Sequence, residues 1–398
     1  MGKKSVRDID VSGKRVLVRV DINVPLDEKT GAITDYTRIR AVLPTIKYLL
    51  DKRARVILCS HLGRPDGKVV EKLRLAQVAE QLSKFLKKKV ATVSDCIGPE
   101  VEKTAAMMRD GDVLMLENLR FHAEEEKNDP QFAQALSKLA DIYVNDAFGT
   151  AHRSHASVVG VARYLPAVAG LLLEKEIGVM GKALTDPARP FAALIGGAKI
   201  SDKIGVMENI LDKVDYLLVA GGMCATFFKA LKYDVGASAV EKDKLDLAHR
   251  LMDRAKDRGI KLVLPSDAVV GNRFSEDAEA KVVSISNIPD GWYIMDIGPE
   301  TVGLFTATLR ECETIIWNGP VGVFEYSKFS KGTHDITNLL ARLDATTIIG
   351  GGSTAEAVEE IGLADKMTHV STGGGASLKF LEGKTLPGVA VLQDKESR

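Results

Sequence analysis

Short β-branched runs alternate with longer amphipathic stretches along the whole chain, and this alternation limits the fold more than any other feature. Val-Leu-Val-Arg-Val at 16–20 reads as a strand, and 56–59, 113–116 and 142–144 repeat the pattern. Residues 38–50 read as a helix with Ile39, Val42, Leu43, Ile46, Leu49 and Leu50 on one side, and Pro44 inside it predicts a kink or a late start. A second helix is predicted over 73–85. After residue 185 the strand pattern returns at 191–195, 216–220, 262–264, 294–296, 315–317, 348–349 and 369–371. Apolar strands separated by helices are the mark of parallel, doubly wound sheets covered on both faces.

The 398 residues allow two to three domains at roughly 100–200 residues each. Glycine, 35 in all, is concentrated after residue 185, whereas arginine is denser before it. The first part can therefore offer charged side chains to a ligand, and the second mainly backbone N–H. The expected division is a first domain over 1–170, with about 385–398 returning to it, a connecting hinge helix over 171–184, and a second domain over 185–384. The expected architecture is two Rossmann-like α/β domains separated by a cleft.

Lys+Arg and Asp+Glu both number 54, so the net charge is 0, without the basic excess of a nucleic-acid or membrane-surface binder. No run approaches the roughly 18 apolar residues of a spanning helix, and the first residues have no leader-like apolar stretch. The four cysteines, Cys59, Cys96, Cys224 and Cys312, form no C-x-x-C pair, and a reducing cytoplasmic setting is expected.

Open parallel sheets bind ligands beyond the carboxyl ends of their strands. In the first half those positions hold Asp21 and Asn23, then His61, Gly63 and Arg64, then Glu117, Asn118, Arg120 and His122, then Asn145, Asp146, His152, Arg153 and His155. Arg38 opens a helix. Any one of these has a plainer explanation: an Asx turn for Asp21, a structural ion pair for Glu117. Three separate loops that each supply arginine or histidine, together with Arg38, point instead to one rim for a small, strongly anionic ligand.

In the second half the equivalent turns are rich in glycine: Gly196-Gly197, Gly221-Gly222, Gly298-Pro299, Asn318-Gly319-Pro320, Gly350-Gly351-Gly352 and Gly373-Gly374-Gly375. Glycine lets backbone approach a phosphate, and a helix N-terminus presents N–H groups to it. Tight strand-to-helix packing explains one such turn more simply than six. Lys199 and Lys203 are expected on one face near the start of a helix. A Walker A loop is absent, because Leu378 stands where Gly383-Lys384-Thr385 would need a glycine. Gly350-x-Gly352-x-x-Ala355 matches a loose dinucleotide fingerprint, but no acidic residue ends the next strand near His369. An anion site paired with a polyphosphate site suggests phosphoryl transfer to an acceptor that is already anionic and needs no general base. An NAD-linked oxidoreductase would rest on the loose fingerprint alone. A binding protein that clasps an anion would leave the glycine-rich site unexplained.

Several long segments carry a closer resemblance. Val18-Arg19-Val20-Asp21-Ile22-Asn23-Val24-Pro25, Ser60-His61-Leu62-Gly63-Arg64-Pro65-Asp66-Gly67, Leu116-Glu117-Asn118-Leu119-Arg120-Phe121-His122, Asn145-Asp146-Ala147-Phe148-Gly149, Gly196-Gly197-Ala198-Lys199, Trp317-Asn318-Gly319-Pro320-Val321-Gly322 and Ser371-Thr372-Gly373-Gly374-Gly375-Ala376 closely resemble the phosphoglycerate kinase family, in order over essentially the whole chain. The resemblance implies a glycolytic, hinge-bending, cytoplasmic monomer. It would exchange a phosphoryl group between 1,3-bisphosphoglycerate and ADP, giving 3-phosphoglycerate and ATP, with Mg2+ carried on the ADP or ATP. By matching position, Asp21, Asn23, Arg38, His61, Arg64, Arg120 and Arg153 would hold phosphoglycerate. Arg38, Lys199 and the helix start at Gly373 and Gly374 would stabilise the transferring group. Lys203, Ile294, Asn318, Glu325, Gly351, Gly352, Ser353 and Thr354 would bind nucleotide.

Two positions depart from the family pattern. Ser353 stands where the family usually has a magnesium-ligating Asp, and a neutral hydroxyl is a weak ligand for a hard cation. No protein metal ligand is therefore assigned. Ile294 stands where glycine is common near the nucleotide base. Ser353→Asp is expected to lower the magnesium concentration for half-maximal turnover in an activity titration; an unchanged midpoint would show that this position does not meet the metal.

Overall fold

The computed structural model describes residues 2–395. The chain divides into two compact units, one running to Gly178 and resuming at Thr385, the other spanning Val179–Lys384. The division falls inside a single helix, Leu171–Thr185. Met1 and residues 396–398, the last of the expected returning segment, lie outside the described residues.

The first unit is built on six parallel strands: β1 (Arg15–Val20), β2 (Arg55–Cys59), β3 (Val90–Thr92), β4 (Val113–Met115), β5 (Ile142–Asp146) and β6 (Ala167–Ala169), in the order β3-β4-β2-β1-β5-β6. β1 lies at the centre, with Val18 beside Leu58 on one side and Val144 on the other. Its apolar run is buried on both faces, as a central parallel strand requires. From β1 the chain moves towards β2, and from β5 towards β6, so the connections diverge between β1 and β5. That is where a ligand crevice opens in a sheet of this kind.

The first helix runs unbroken over Thr37–Asp51, with no late start at Pro44, because Ile39, Val42, Ile46 and Leu49 pack into the core. The helix expected over 73–85 starts later, at Ala76. Glu117 accepts the Leu75 N–H (3.0 Å) and pairs with Arg74 (3.0 Å), which holds Arg74 extended. β6 had no counterpart in the sequence reading.

The second unit has its own parallel sheet of β7 (Phe191–Ile195), β8 (Tyr216–Val219), β9 (Lys261–Val263), β13 (Thr314–Asn318), β14 (Thr346–Gly350) and β15 (His369–Val370), in the order β15-β14-β13-β7-β8-β9. Here the connections diverge between β7 and β13. A three-stranded antiparallel sheet of β10 (Asp267–Gly271), β11 (Ala280–Ser284) and β12 (Tyr293–Ile297) stands apart, in the order β11-β10-β12. The run at 294–296, expected in a parallel sheet, belongs to this small one.

The returning segment docks on the first unit. Asn145 donates to the Gly388 carbonyl (3.0 Å), Gly388 donates to Ala151 O (2.8 Å), and Lys4 N–H donates to Gln393 O (2.8 Å). Nearby, Asp146 caps the helix Leu171–Thr185: its Oδ1 accepts the N–H groups of Leu172 (2.9 Å) and Leu173 (3.2 Å), and Thr45 Oγ1 accepts that of Leu171 (2.9 Å). A Cβ on Gly170 would lie 2.1 Å from Asp146 Oδ1, so the carboxyl and the helix start are pressed together.

Burial pushes the Asp146 carboxyl from 3.8 to about 7, against the opposing pull of its hydrogen bonds to Thr45, Leu173 and Leu172. The folded chain keeps this proton where the unfolded chain has lost it. The associated stability is therefore full below 3.8 and is lost as pH rises through about 7. In urea denaturation between about pH 4 and about pH 8, Asp146→Asn should gain on the wild type as pH rises and level off above about 7. A gap independent of pH would mean that the carboxyl is ionised in the folded state.

Candidate functional site

In the first unit the loops after β1, β2, β4 and β5 bring charged groups to one edge. Arg38 pairs with Asp21 at 2.6 Å, and Asn23 Oδ1 accepts the Gly63 N–H at 2.7 Å. Arg120 is almost wholly buried, donates to the Gly63 carbonyl (2.9 Å) and has its Nε 3.1 Å from Glu126. His61 is buried beside them. Its pKa falls well below 6.5, first through burial and then through Arg19, Arg120, Arg153 and Arg38. That so many guanidinium groups act on one imidazole is a direct sign of convergence. Arg153 is half-buried and Arg64 exposed, and neither makes a side-chain hydrogen bond or ion pair among the described residues.

Beneath this rim lies a network that the sequence reading overlooked. Arg19, fully buried on β1, donates through Nε to Ser157 Oγ (2.9 Å), and Ser157 donates in turn to Glu125 Oε1 (2.5 Å). Ser157 N–H donates to Glu125 Oε2 (2.8 Å). Burial raises the Glu125 carboxyl, and the Arg19 charge pulls it back down. Arg19 Nη2 also lies 3.2 Å from His61 Nδ1. A guanidinium only donates, so Nδ1 accepts, and the neutral imidazole carries its proton on Nε2. The available signal was a charged residue in the middle of a buried strand, which must find a partner.

Other candidates are occupied with structural roles. Glu117 serves Arg74 and Leu75, while Asn118 bonds both backbone groups of Leu62 (3.2 and 2.8 Å) and the Leu73 carbonyl (2.9 Å). His122 pairs with Asp95 at 2.7 Å. Burial lowers His155 to about 4, helped by Arg120, Arg19 and Arg153.

In the second unit the glycine-rich turns divide by purpose. Gly196, after β7, and Gly319, after β13, meet backbone to backbone at the point where the connections diverge. Gly196 N–H donates to Asn318 O (2.9 Å) and Gly197 N–H to Pro320 O (3.1 Å). A Cβ on Gly319 would lie 2.1 Å from Gly196 O, and one on Gly221 2.6 Å from Gly197 O. These turns are glycine for close packing.

The turns at 350–352 and 373–375 lead directly into helices, Gly352–Glu360 and Gly374–Leu381. The two starts abut: a Cβ on Gly374 would lie 3.0 Å from the Gly352 nitrogen. The first N–H groups of each helix lack a carbonyl one turn back, so two sets of donors are presented together. Ser377 Oγ accepts the Gly351 N–H (3.2 Å) and Thr354 Oγ1 accepts that of Gly319 (2.7 Å), which ties the cradle to the switch point. Fully buried Asn318 stands alongside. Its Oδ1 accepts from Lys203 Nζ, while its Nδ2 has no partner among the described residues. Burial lowers the Lys203 ammonium, and Asp202 partly offsets this.

Lys199 and Lys203 do not share a helix face, because the helix begins only at Ile204. Glu241 accepts the N–H groups of Ile200 (2.7 Å) and Ser201 (3.2 Å) and holds the segment as a turn. Lys199 and Ser353 are exposed, as is Glu325. Ile294 is half-buried on β12, and its N–H donates to Ser238 Oγ (2.9 Å). Ser238 lines a groove of about 700 Å³ with Lys229, Val235, Gly236, Lys242 and Leu245.

Paired helix N-termini suit the phosphates of a nucleotide, and an arginine rim at a second switch point suits a small anion; one of each is what a phosphotransferase requires. Known proteins narrow this further. A family model described as phosphoglycerate kinase matches residues 6–384. The phosphoglycerate kinase of Moorella thermoacetica is 57% identical over 395 residues, covering 99% of this chain and 100% of the relative. That of Dictyoglomus turgidum is 57% identical over 399 residues, with the same coverage. Among solved structures, phosphoglycerate kinase from Coxiella burnetii aligns with a TM-score of 0.88 at 41% identity over 98% of each chain. The chain belongs to the phosphoglycerate kinase family of glycolysis and is a phosphotransferase, which sets aside the oxidoreductase and binding-protein alternatives.

Gly319→Ala should destabilise the second unit by roughly 3 kcal/mol or more, since a Cβ must displace backbone at φ +98°. Gly303→Ala, in the helix Pro299–Leu309 with nothing within 4 Å, should be neutral or stabilising by about 0.5–1 kcal/mol. Urea denaturation of both variants checks the pair, and equal effects would refute the packing role.

Proposed function

We propose that the first unit's rim, Asp21, Asn23, Arg38, His61, Arg64, Arg120 and Arg153, holds 3-phosphoglycerate or 1,3-bisphosphoglycerate. Its charge balance supports this reading. Arg19 is matched by Glu125 through Ser157, Arg38 by Asp21 and Arg120 by Glu126, which leaves Arg64 and Arg153 as uncompensated cations. His61, held neutral with Nε2–H outward, offers a hydrogen bond to a carboxylate or phosphate oxygen rather than a proton.

The second unit binds ADP or ATP through Lys203, Asn318, Gly351, Gly352, Ser353 and Thr354, with Ile294 and Glu325 towards the nucleoside. The observation that carries this is the pair of abutting helix N-termini beside the unpartnered Asn318 amide. The groove next to Ile294 has the mixed lining of a base site. Arg38, Lys199 and the Gly373 and Gly374 amides stabilise charge on the transferring phosphoryl group. The acceptor oxygen is anionic in either direction, so no side chain need remove a proton.

The cradle offers hydroxyls and amides and no carboxylate, and Thr354 Oγ1 already accepts from Gly319. These donors do not form a cage for a hard cation. Magnesium therefore arrives as part of the nucleotide substrate. Among the described residues no helix is long and apolar enough to cross a membrane. From membership of a glycolytic kinase family we infer a cytoplasmic monomer.

The test follows ADP formation from ATP and 3-phosphoglycerate, which should saturate in both substrates. Lys199→Ala should lower kcat by about 100-fold or more while leaving phosphoglycerate affinity within about twofold. An equal loss of affinity would place Lys199 in ground-state binding instead.

A further inference from the structure

Asp95, Cys96 and His122 gather in the first unit, and the anion rim uses none of them. Asp95 and Cys96 follow β3, where the Asp95 carbonyl accepts the Glu117 N–H (3.3 Å) and Asp95 Oδ1 accepts the Cys96 N–H (2.6 Å). His122 closes the 3-10 turn Leu119–Phe121, and its ring sits 5.3 Å from that of Phe132. Its Nε2 lies 2.7 Å from Asp95 Oδ1. Cys96 Sγ completes the group, and the three donor atoms all lie within 4.8 Å of one another.

A carboxylate oxygen, an imidazole nitrogen and a thiol form the donor set of a borderline-soft divalent ion, not of magnesium. We propose that Asp95, Cys96 and His122 form a binding site for a zinc-class cation, with water as the fourth ligand. Bond lengths of about 2.3 Å to sulfur and about 2.0–2.1 Å to nitrogen and oxygen place tetrahedral donors roughly 3.3–3.6 Å apart. The Asp95–His122 pair must open by about 0.6 Å, and no other separation need close by more than about 1.2 Å, both within reach of side-chain torsions. Cys96 forms a buried floor, while the Asp95 and His122 side chains are 49% and 28% exposed and leave a path for the ion.

On binding, the Cys96 thiol gives its proton to solvent and sulfur donates a pair to the metal. His122 Nε2 gives up any proton it shares with Asp95. A thiol ligates as thiolate, so metal binding at Cys96 releases a proton. His122 follows Arg120 by two residues in the same turn, and Arg120 belongs to the proposed phosphoglycerate rim. Zinc should therefore raise KM for phosphoglycerate and leave KM for nucleotide unchanged.

The experiment titrates the full chain, without an affinity tag, with Co2+ as a spectroscopic probe. One equivalent should produce a thiolate-to-cobalt charge-transfer band in the near ultraviolet, and Zn2+ should abolish it. Cys96→Ser should remove the band. His122→Ala, at a half-buried position, should weaken binding by about tenfold or more with unchanged circular dichroism. Cys312→Ser should leave the band intact. The proposal is overturned if the wild type gives no band, if the band survives both Cys96→Ser and His122→Ala, or if Cys312→Ser removes it.

Discussion

A parallel sheet sends all its strand ends to one edge, and the chain must leave that edge in two directions. The two substrate sites proposed for this protein follow from the gap that this opens. In the first unit the gap lies between β1 and β5, in the second between β7 and β13. The same geometric opening is furnished in opposite ways. The first is lined with long charged side chains over a buried Arg19–Ser157–Glu125 chain. The second is stripped to backbone, because Gly196 and Gly319 must touch before Asn318 and the abutting helix starts can face a ligand. An arginine fork reads a small anion by shape and charge; a ring of amides accepts a polyphosphate with little side-chain reorganisation.

The buried network under His61 fixes what that residue can do. Because Arg19 occupies Nδ1, the imidazole has one tautomer and one free donor. Neighbouring cations remove its second protonation state, and burial does most of this. His61 therefore serves the rim as a neutral donor, and Asp21 and Glu126 hold Arg38 and Arg120 in place.

Much of this was legible in the residues. The β-branched runs of β1 and β2 are long enough in apolar residues to suit a strand covered on both faces, and the arginines and histidines of the rim fall after such runs. The antiparallel sheet was not legible, because β11 is largely exposed and β12 alone looks like any short apolar strand. The same limit applied to Lys199 and Lys203. Their spacing suggests a helix, but Glu241, some forty residues away, claims the backbone N–H groups of Ile200 and Ser201. Glu117 likewise delays the helix before Ala76. In each case a distant carboxylate overrides a local pattern, and local patterns carry no trace of it. Of the glycine-rich turns, the sequence could not separate those that pack against backbone from those that open a helix, since both need the same missing side chain.

The docking of the last segment onto the first unit has a consequence for the order in which the molecule is made. Val179–Lys384 is contiguous, so its unit holds all its pieces once that stretch has left the ribosome. The earlier-made unit still lacks the residues that meet Asn145, Ala151 and Lys4. The half synthesised first is the half completed last, and its β5–β6 edge waits through the synthesis of an entire neighbour.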